Sequence, residues 1–324
     1  MFDINLLTNT LGIQTTSYNS FYMERYLRKF FRKNNIAYDT DNYGNIYAIK
    51  GSPKNGEFYP TMVCHIDTVH DINMDSIVKS QGDLLYSIDK TNCQRTGIGG
   101  DDKVGVFITL SLLLHMPVFK AVFFKDEEVG CVGSSSADHT YFDDSSIVLQ
   151  CDRKGMGDFV SSIYGVQLCN KELLNDIDSL LTQYSRKSVT GGLTDVKSIA
   201  SANDVQCANV NCGYYDPHTD DEYVSISDVE STLYFCHDVL RSTQSKRYTM
   251  KRAPEKKYDI STNDWSYTPY GSTMKSYPVT AQEKTAHTTC PICQSTDTDV
   301  DFYNDDHYCF TCDKYFDEMS YAKI

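Results

Sequence analysis

No run of apolar residues in this 324-residue sequence approaches the roughly 20 needed to cross a bilayer as a helix. A helical membrane span is therefore excluded, and no membrane partner is expected. The opening Met1-Phe2-Asp3-Ile4-Asn5 lacks a basic region followed by an apolar stretch. No secretory signal is expected there, and a cytoplasmic location is. A positive charge balance is also missing. Against 44 Asp and Glu stand 30 Lys and Arg, a formal charge of −14. Phosphate backbones would be repelled, so nucleic acid is not an expected partner. No internal repeat is evident.

What is present suits one large domain and a small appendage. Hydrophobic residues make up 40% of the chain, enough for a buried core. With no export signal expected, 12 cysteines point to a reducing compartment, where they serve as core residues or metal ligands. Cys64, Cys151 and Cys207 stand in apolar, strand-like runs and read as buried thiols. Four others group near the C-terminus and need a different explanation.

Apolar spacing predicts an amphipathic helix over 17–34, with Phe21, Leu27, Phe30 and Phe31 near helical period. Strands are expected at 45–49, 61–64, 118–124, 147–151 and 205–210, and a hairpin strand at 84–88. Helices are expected over 102–115 and around 173–184. Ser227-Asp228-Val229-Glu230 has the capping-box pattern, and the helix after it carries Val229, Leu233, Cys236 and Leu240 on one face. Strands alternating with helices imply an α/β fold with a doubly wound, mostly parallel sheet. Such sheets bind ligands beyond the carboxyl ends of their strands.

Five polar clusters appear, several of them just after an expected strand: His65-Ile66-Asp67, Gly99-Gly100-Asp101-Asp102-Lys103, Asp126-Glu127-Glu128-Val129-Gly130, Asp152, and Asp216-Pro217-His218-Thr219-Asp220. Each alone has a plain reading. Asp101 would cap a helix, Asp152 end a strand, His218 sit on the surface, and the Asp126–Glu128 run form a solvated turn. Jointly they do not, because carboxylates at buried strand ends cost several kcal/mol each unless compensated. Imidazoles and carboxylates on one edge suit zinc with open positions. His70, His115, His139, His237 and His287 stand outside these clusters and are assigned no role.

The ordered set Cys64-His65-Ile66-Asp67-Thr68-Val69, Gly100-Asp101-Asp102-Lys103-Val104-Gly105, Asp126-Glu127-Glu128-Val129-Gly130, Asp152 and His218 resembles the di-zinc exopeptidase family of peptidase T and the aminoacylases. Gly191-Gly192-Leu193-Thr194-Asp195 resembles a turn found there before the last ligand. The resemblance covers most of the first 240 or so residues. It implies that His65 and Asp152 hold one metal, Glu128 and His218 the other, and that Asp101 bridges them. It also implies that Asp67 sits behind His65 and that Glu127 is the general base. Two catalytic zinc ions (or cobalt or manganese) follow as cofactors. Relatives insert a lid domain between the fourth and fifth ligands, and the spacing from Asp152 to His218 leaves no room for it. Tyr214, Tyr215 or Arg153 then become candidates for polarising the carbonyl. In the resembling family aspartate at the fourth ligand position goes more with aminopeptidases, so the resemblance implies through Asp152 an aminopeptidase on short peptides. The alternatives are an N-acyl amino acid deacylase, and a binding or scaffold protein without catalysis.

Composition changes after about Ser242, where a basic stretch precedes a Ser-, Thr- and Tyr-rich segment. The expected division is a catalytic domain over 1–243, a linker over 244–285 and a small domain over 286–324. In the last, Cys290-Pro291-Ile292-Cys293 and Cys309-Phe310-Thr311-Cys312 have zinc-ribbon spacing, implying one structural zinc. Two redox pairs, or cysteines without metal, are the alternatives. A protein partner is the expected role of such a ribbon, since its aspartates discourage phosphate contact.

Overall fold

The computed structural model describes residues 1–251, 289–301 and 306–316. Its contacts divide the chain into two units, Met1–Arg252 and Ala253–Ile324.

The large unit begins with α1 (Ile4–Leu11), α2 (Phe21–Lys33), β1 (Ala37–Thr40), β2 (Ile46–Lys50) and β3 (Tyr59–His65). Next come β4 (Ser76–Gln81), β5 (Leu84–Asp89), β6 (Arg95–Thr96), α3 (Gly100–His115), β7 (Phe119–Phe124), α4 (Val132–Ser135) and β8 (Ser145–Gln150). The remainder is β9 (Asp158–Ile163), β10 (Val166–Gln167), α5 (Lys171–Asp176), α6 (Asp178–Gln183), β11 (Lys187–Gly191), α7 (Asp195–Ala202), β12 (Cys207–Val210), β13 (Tyr214–Tyr215), β14 (Tyr223–Ser225) and α8 (Ile226–Thr243).

The main sheet has the order β1-β2-β7-β3-β8-β12-β9-β10, with β11 also on β9. Its central strands β7, β3, β8 and β12 run parallel, and antiparallel pairs flank them. This is the expected doubly wound α/β plan, with a mixed periphery. Every residue of β3, β7 and β8 is buried, which explains their nearly continuous apolar sequences. Successive side chains serve opposite faces. Met62, Ala121, Phe123, Ile147 and Leu149 join a core with Leu27, Phe107 and Leu240 of α2, α3 and α8. Val63, Val122 and Val148 join the other, with Val196 and Ile199 of α7.

Parallel register then places three strand ends on one edge. His65 pairs with Phe124, and Val63 with Gln150. Segments 65–67, 125–128 and 151–152 must therefore emerge together. A second sheet, β13-β14-β5-β4 with β6 on β5, begins at the loop bearing His218.

Some expectations shift. The helix around 173–184 is two short helices separated by Ile177, with Asn170 capping the first. The cap of α8 is Ser225, whose hydroxyl accepts from the Asp228 N–H, and not Ser227. Ser225 ends β14 in an extended conformation, so the helix starts one residue later, and the Ser227 hydroxyl turns to Asp83 at 2.8 Å. Residues 244–251, placed in the linker by composition, pack on the large unit. Tyr248 is buried and its backbone pairs with Ser146 and Gln206. The rest of that linker, 252–285, lies outside the described residues. Among the described residues no helix is long and apolar enough to cross a membrane.

The second unit forms an antiparallel sheet of β15 (Thr298–Asp301), β16 (Asp306–Cys309) and β17 (Lys314–Phe316).

Candidate metal centre

His65 ends β3 with no exposure to solvent. Its Nδ1 lies 3.1 Å from the backbone carbonyl of Asp67 and 3.5 Å from the Asp67 carboxylate. The carbonyl is thus the nearer partner. A carbonyl only accepts, so Nδ1 carries the proton. Nε2 then faces carboxylate oxygens: Asp101 Oδ1 at 3.2 Å, Asp152 Oδ1 at 3.8 Å and Glu127 Oε2 at 3.9 Å. Only a proton or a cation between them makes that arrangement favourable.

Asp101 and Asp102 open α3 in non-helical conformations. Asp102 turns inward, accepting the N–H groups of His65 and Gly105. Asp101 turns towards the site. Beyond β7, Asp126 adopts φ 59° and accepts from Tyr18 N–H and Tyr43 hydroxyl, which redirects the chain. The next two N–H groups then point at Asp67: Glu127 donates to Oδ1 at 3.0 Å and Glu128 to Oδ2 at 3.3 Å. Glu127 Oε1 accepts the Cys131 thiol at 3.2 Å. Glu128 Oε2 lies 3.1 Å from His218 Nε2, while Glu128 Oε1 is buried without a hydrogen-bond partner.

Asp152 follows β8. Thr194 donates to Oδ2 at 2.5 Å, Gln150 to Oδ2 at 3.2 Å and Tyr214 to Oδ1 at 3.2 Å. Gln150 also reaches Asp195, so the Gly191–Asp195 turn buttresses Asp152. Tyr215 and Arg153 are engaged elsewhere, on Asp228 and Asp158. His218, half-exposed at φ 65°, lies 3.4 Å from Asp101 Oδ2. All seven sequence-selected residues of the large unit meet here. Two triads have ligand atoms within 4.8 Å of one another: His65, Asp101 and Asp152, and Asp101, Glu128 and His218. Asp101 belongs to both.

Burial pushes Glu127 up to about 9; His65 opposes it, and Asp152, Asp195 and Glu128 add to it. Burial, then Asp101, lifts Asp152 to about 7 against the pull of His65. Glu128 rises by burial too. Asp101 goes the other way: burial would raise it, but hydrogen bonds to His218 and His65 prevail. The same contacts, to Asp101 and then Glu128, raise His218 to about 10. Carboxylates so crowded and desolvated call for more positive charge than two imidazoles supply.

Sequence reasoning passed over Cys131 and Gln150, which touch Glu127 and Asp152 from nearby in the chain, and Glu222, which touches Asp101 from a distant segment. Cys131 reads as a lone thiol, and Glu222 as part of a solvated acidic run.

In the second unit, Cys290 lies 3.7 Å from Cys312 and Cys293 3.5 Å from Cys309, sulfur to sulfur. The four sulfurs form one group within 4.8 Å. Cys290 is pulled down to about 7, where burial is outweighed by backbone N–H groups of Cys293 and Ile292.

Neither a protein-family model nor a curated protein matches the sequence. Solved structures do match in fold. Aminopeptidase PepT from Bacillus cereus superposes with a TM-score of 0.62 at 13% identity, over 74% of this chain and 97% of that chain. A tripeptidase from Staphylococcus aureus gives 0.59 at 13% identity, over 74% and 98%. Aminopeptidase APDkam598 from the archaeon Desulfurococcus kamchatkensis gives 0.52 at 14% identity, over 74% and 97%. At such identities the likeness is one of fold.

Proposed function

We propose that this chain is a two-metal hydrolase of peptide bonds, an aminopeptidase acting on short peptides; two of the similar structures are named aminopeptidases and one a tripeptidase. One observation carries the reading: the two triads share Asp101. The donors fit a pair of zinc ions. His65 Nε2 faces three carboxylate oxygens, Glu128 Oε1 is buried without a partner, and the mix of imidazole and carboxylate suits this ion. His65 and Asp152 would hold one, Glu128 and His218 the other, with Asp101 between them.

Bound there, the cations would acidify a water and polarise the scissile carbonyl. The protein supplies the proton traffic. Glu127 Oε1 is occupied by the Cys131 thiol, and Oε2 faces the His65 ring. Oε2 would take the proton of the attacking water and return it to the leaving amine. Asp67 fixes the backbone of both glutamates, separating the residue that moves protons from the one that binds. In the second unit, the four sulfurs would hold a structural zinc, the closed tetrahedral type.

Metal analysis beside peptide hydrolysis tests the proposal. Full-length protein should hold about three zinc ions and lose turnover of short peptides on chelation, recovering it with added zinc. Undiminished turnover by protein stripped of metal overturns it.

A further inference from the structure

Glu222 stands in the acidic run Asp220-Asp221-Glu222, yet its side chain is fully buried. A buried carboxylate is costly unless donors surround it. Three do. Oε2 accepts the Gly99 N–H at 2.8 Å and lies 3.0 Å from His70 Nε2, and Oε1 accepts the Asp101 N–H at 3.1 Å. Gly99, at φ 64°, adopts a left-handed bend open to glycine, and the bend turns both N–H groups towards one carboxylate. The other side is pinned as well. Arg95 Nη2 donates to the carbonyls of Asp221 and Glu222 at 3.0 and 2.9 Å. The Glu222 N–H closes a turn on Thr219. The loop that carries His218 therefore grips the backbone of Asp101, the carboxylate common to both triads.

We infer that Glu222 is a positioning residue of the metal centre: through the N–H groups of Gly99 and Asp101 it fixes the Asp101 carboxylate, and His70 holds Glu222 in turn. The inference rests on reading Asp101 as the shared ligand. Glu222 supplies no ligand and touches no substrate. Its action is geometric. Asp101 Oδ1 and Oδ2 lie 3.2 and 3.4 Å from two different imidazoles, so rotation of segment 99–101 misplaces both oxygens at once. Removing Glu222 lowers affinity at both metal positions together.

Calorimetric titration of chelator-stripped, reduced full-length protein with Zn²⁺ tests this. Binding at the four cysteines serves as an internal reference. Glu222→Ala should lose about tenfold or more in affinity at both positions of the large unit, with the reference unchanged. Glu222→Gln, keeping one acceptor oxygen, should recover part of the loss. Gly97→Ala, whose Cβ would fall on the His70 ring, should show a smaller loss. Leu173→Ala, at a buried core position, should lower Tm and leave zinc affinity alone, which separates positioning from general destabilisation. No zinc in the wild-type large unit overturns the proposed function. Two zinc ions in wild type with unchanged affinity in Glu222→Ala overturn this inference alone. Should Glu222→Ala not fold, unchanged affinities in both Glu222→Gln and Gly97→Ala overturn it.

Discussion

Asp67 holds Glu127 by its backbone: the buried carboxylate accepts the Glu127 N–H at 3.0 Å. Its second oxygen takes the Glu128 N–H and, at 2.7 Å, the Ser17 hydroxyl. One aspartate thereby sets the direction of two neighbouring glutamates. Asp67→Asn replaces one acceptor oxygen by an NH2 group facing a donor. We expect a loss of about 10–100-fold in turnover or zinc affinity. Wild-type values for both, by steady-state kinetics and zinc titration, would show that Asp67 does not govern the site.

Glu127 and Glu128 should separate cleanly by substitution. Glu127→Gln preserves shape and removes the proposed proton acceptor. Metal content should stay at the wild-type level while kcat falls by about 10²–10⁴. Normal turnover in that variant would dismiss Glu127 as the base. Glu128→Ala should instead lose metal.

Glu24 is buried between Arg28 at 2.8 Å and Lys125 at 2.7 Å. Burial would raise its pKa, but Lys125 and Arg28 outweigh it and bring it from 4.5 to about 2. A carboxyl depressed on folding adds stability in full above its unfolded pKa and loses it as pH falls through the folded value. The contribution is therefore complete near neutrality and disappears between about pH 4.5 and 2. Glu24→Gln should cost about 3–5 kcal/mol at pH 7, since Arg28 and Lys125 each lose one ion pair. Its stability should also fall less steeply with acid, as urea unfolding at pH 7 and pH 3 would record. Equal pH dependence in both proteins would contradict the assignment.

Cys309→Ser tests the second unit. Cys309 is buried and its sulfur sits in the four-sulfur group. Metal content should fall by about one ion while peptide turnover persists. An unchanged metal count would point away from a structural zinc there.

The sheet could be read from the sequence because β3, β7 and β8 are buried on both faces and so appear as apolar runs. Each run stops at a polar cluster, and parallel register does the rest, delivering His65, Glu127 and Asp152 to one edge. Local pattern was weaker where cooperation across the chain decides. Asn170 caps α5, and Ile177 breaks what periodicity presents as one helix. Ser225 competes with Ser227 for the cap and wins because β14 has already set its backbone. Tyr215 stands next to Tyr214 in sequence, yet only Tyr214 reaches Asp152. Adjacent strand residues face opposite ways, and sequence alone does not say which way either faces. Glu222 was hidden for a related reason. Its donors come from residues 70, 99 and 101, more than a hundred positions away.

The site's residues leave the ribosome in a fixed order, His65 first and His218 last, 153 positions later (218 − 65). At the usual pace of translation that interval lasts about 8–30 seconds. For the last 66 of those positions (218 − 152) the nascent chain holds Asp101, Glu127, Glu128 and Asp152 without the second imidazole. The centre is thus completed only near the end of the large unit's synthesis, and its assembly is a late event in the life of each molecule.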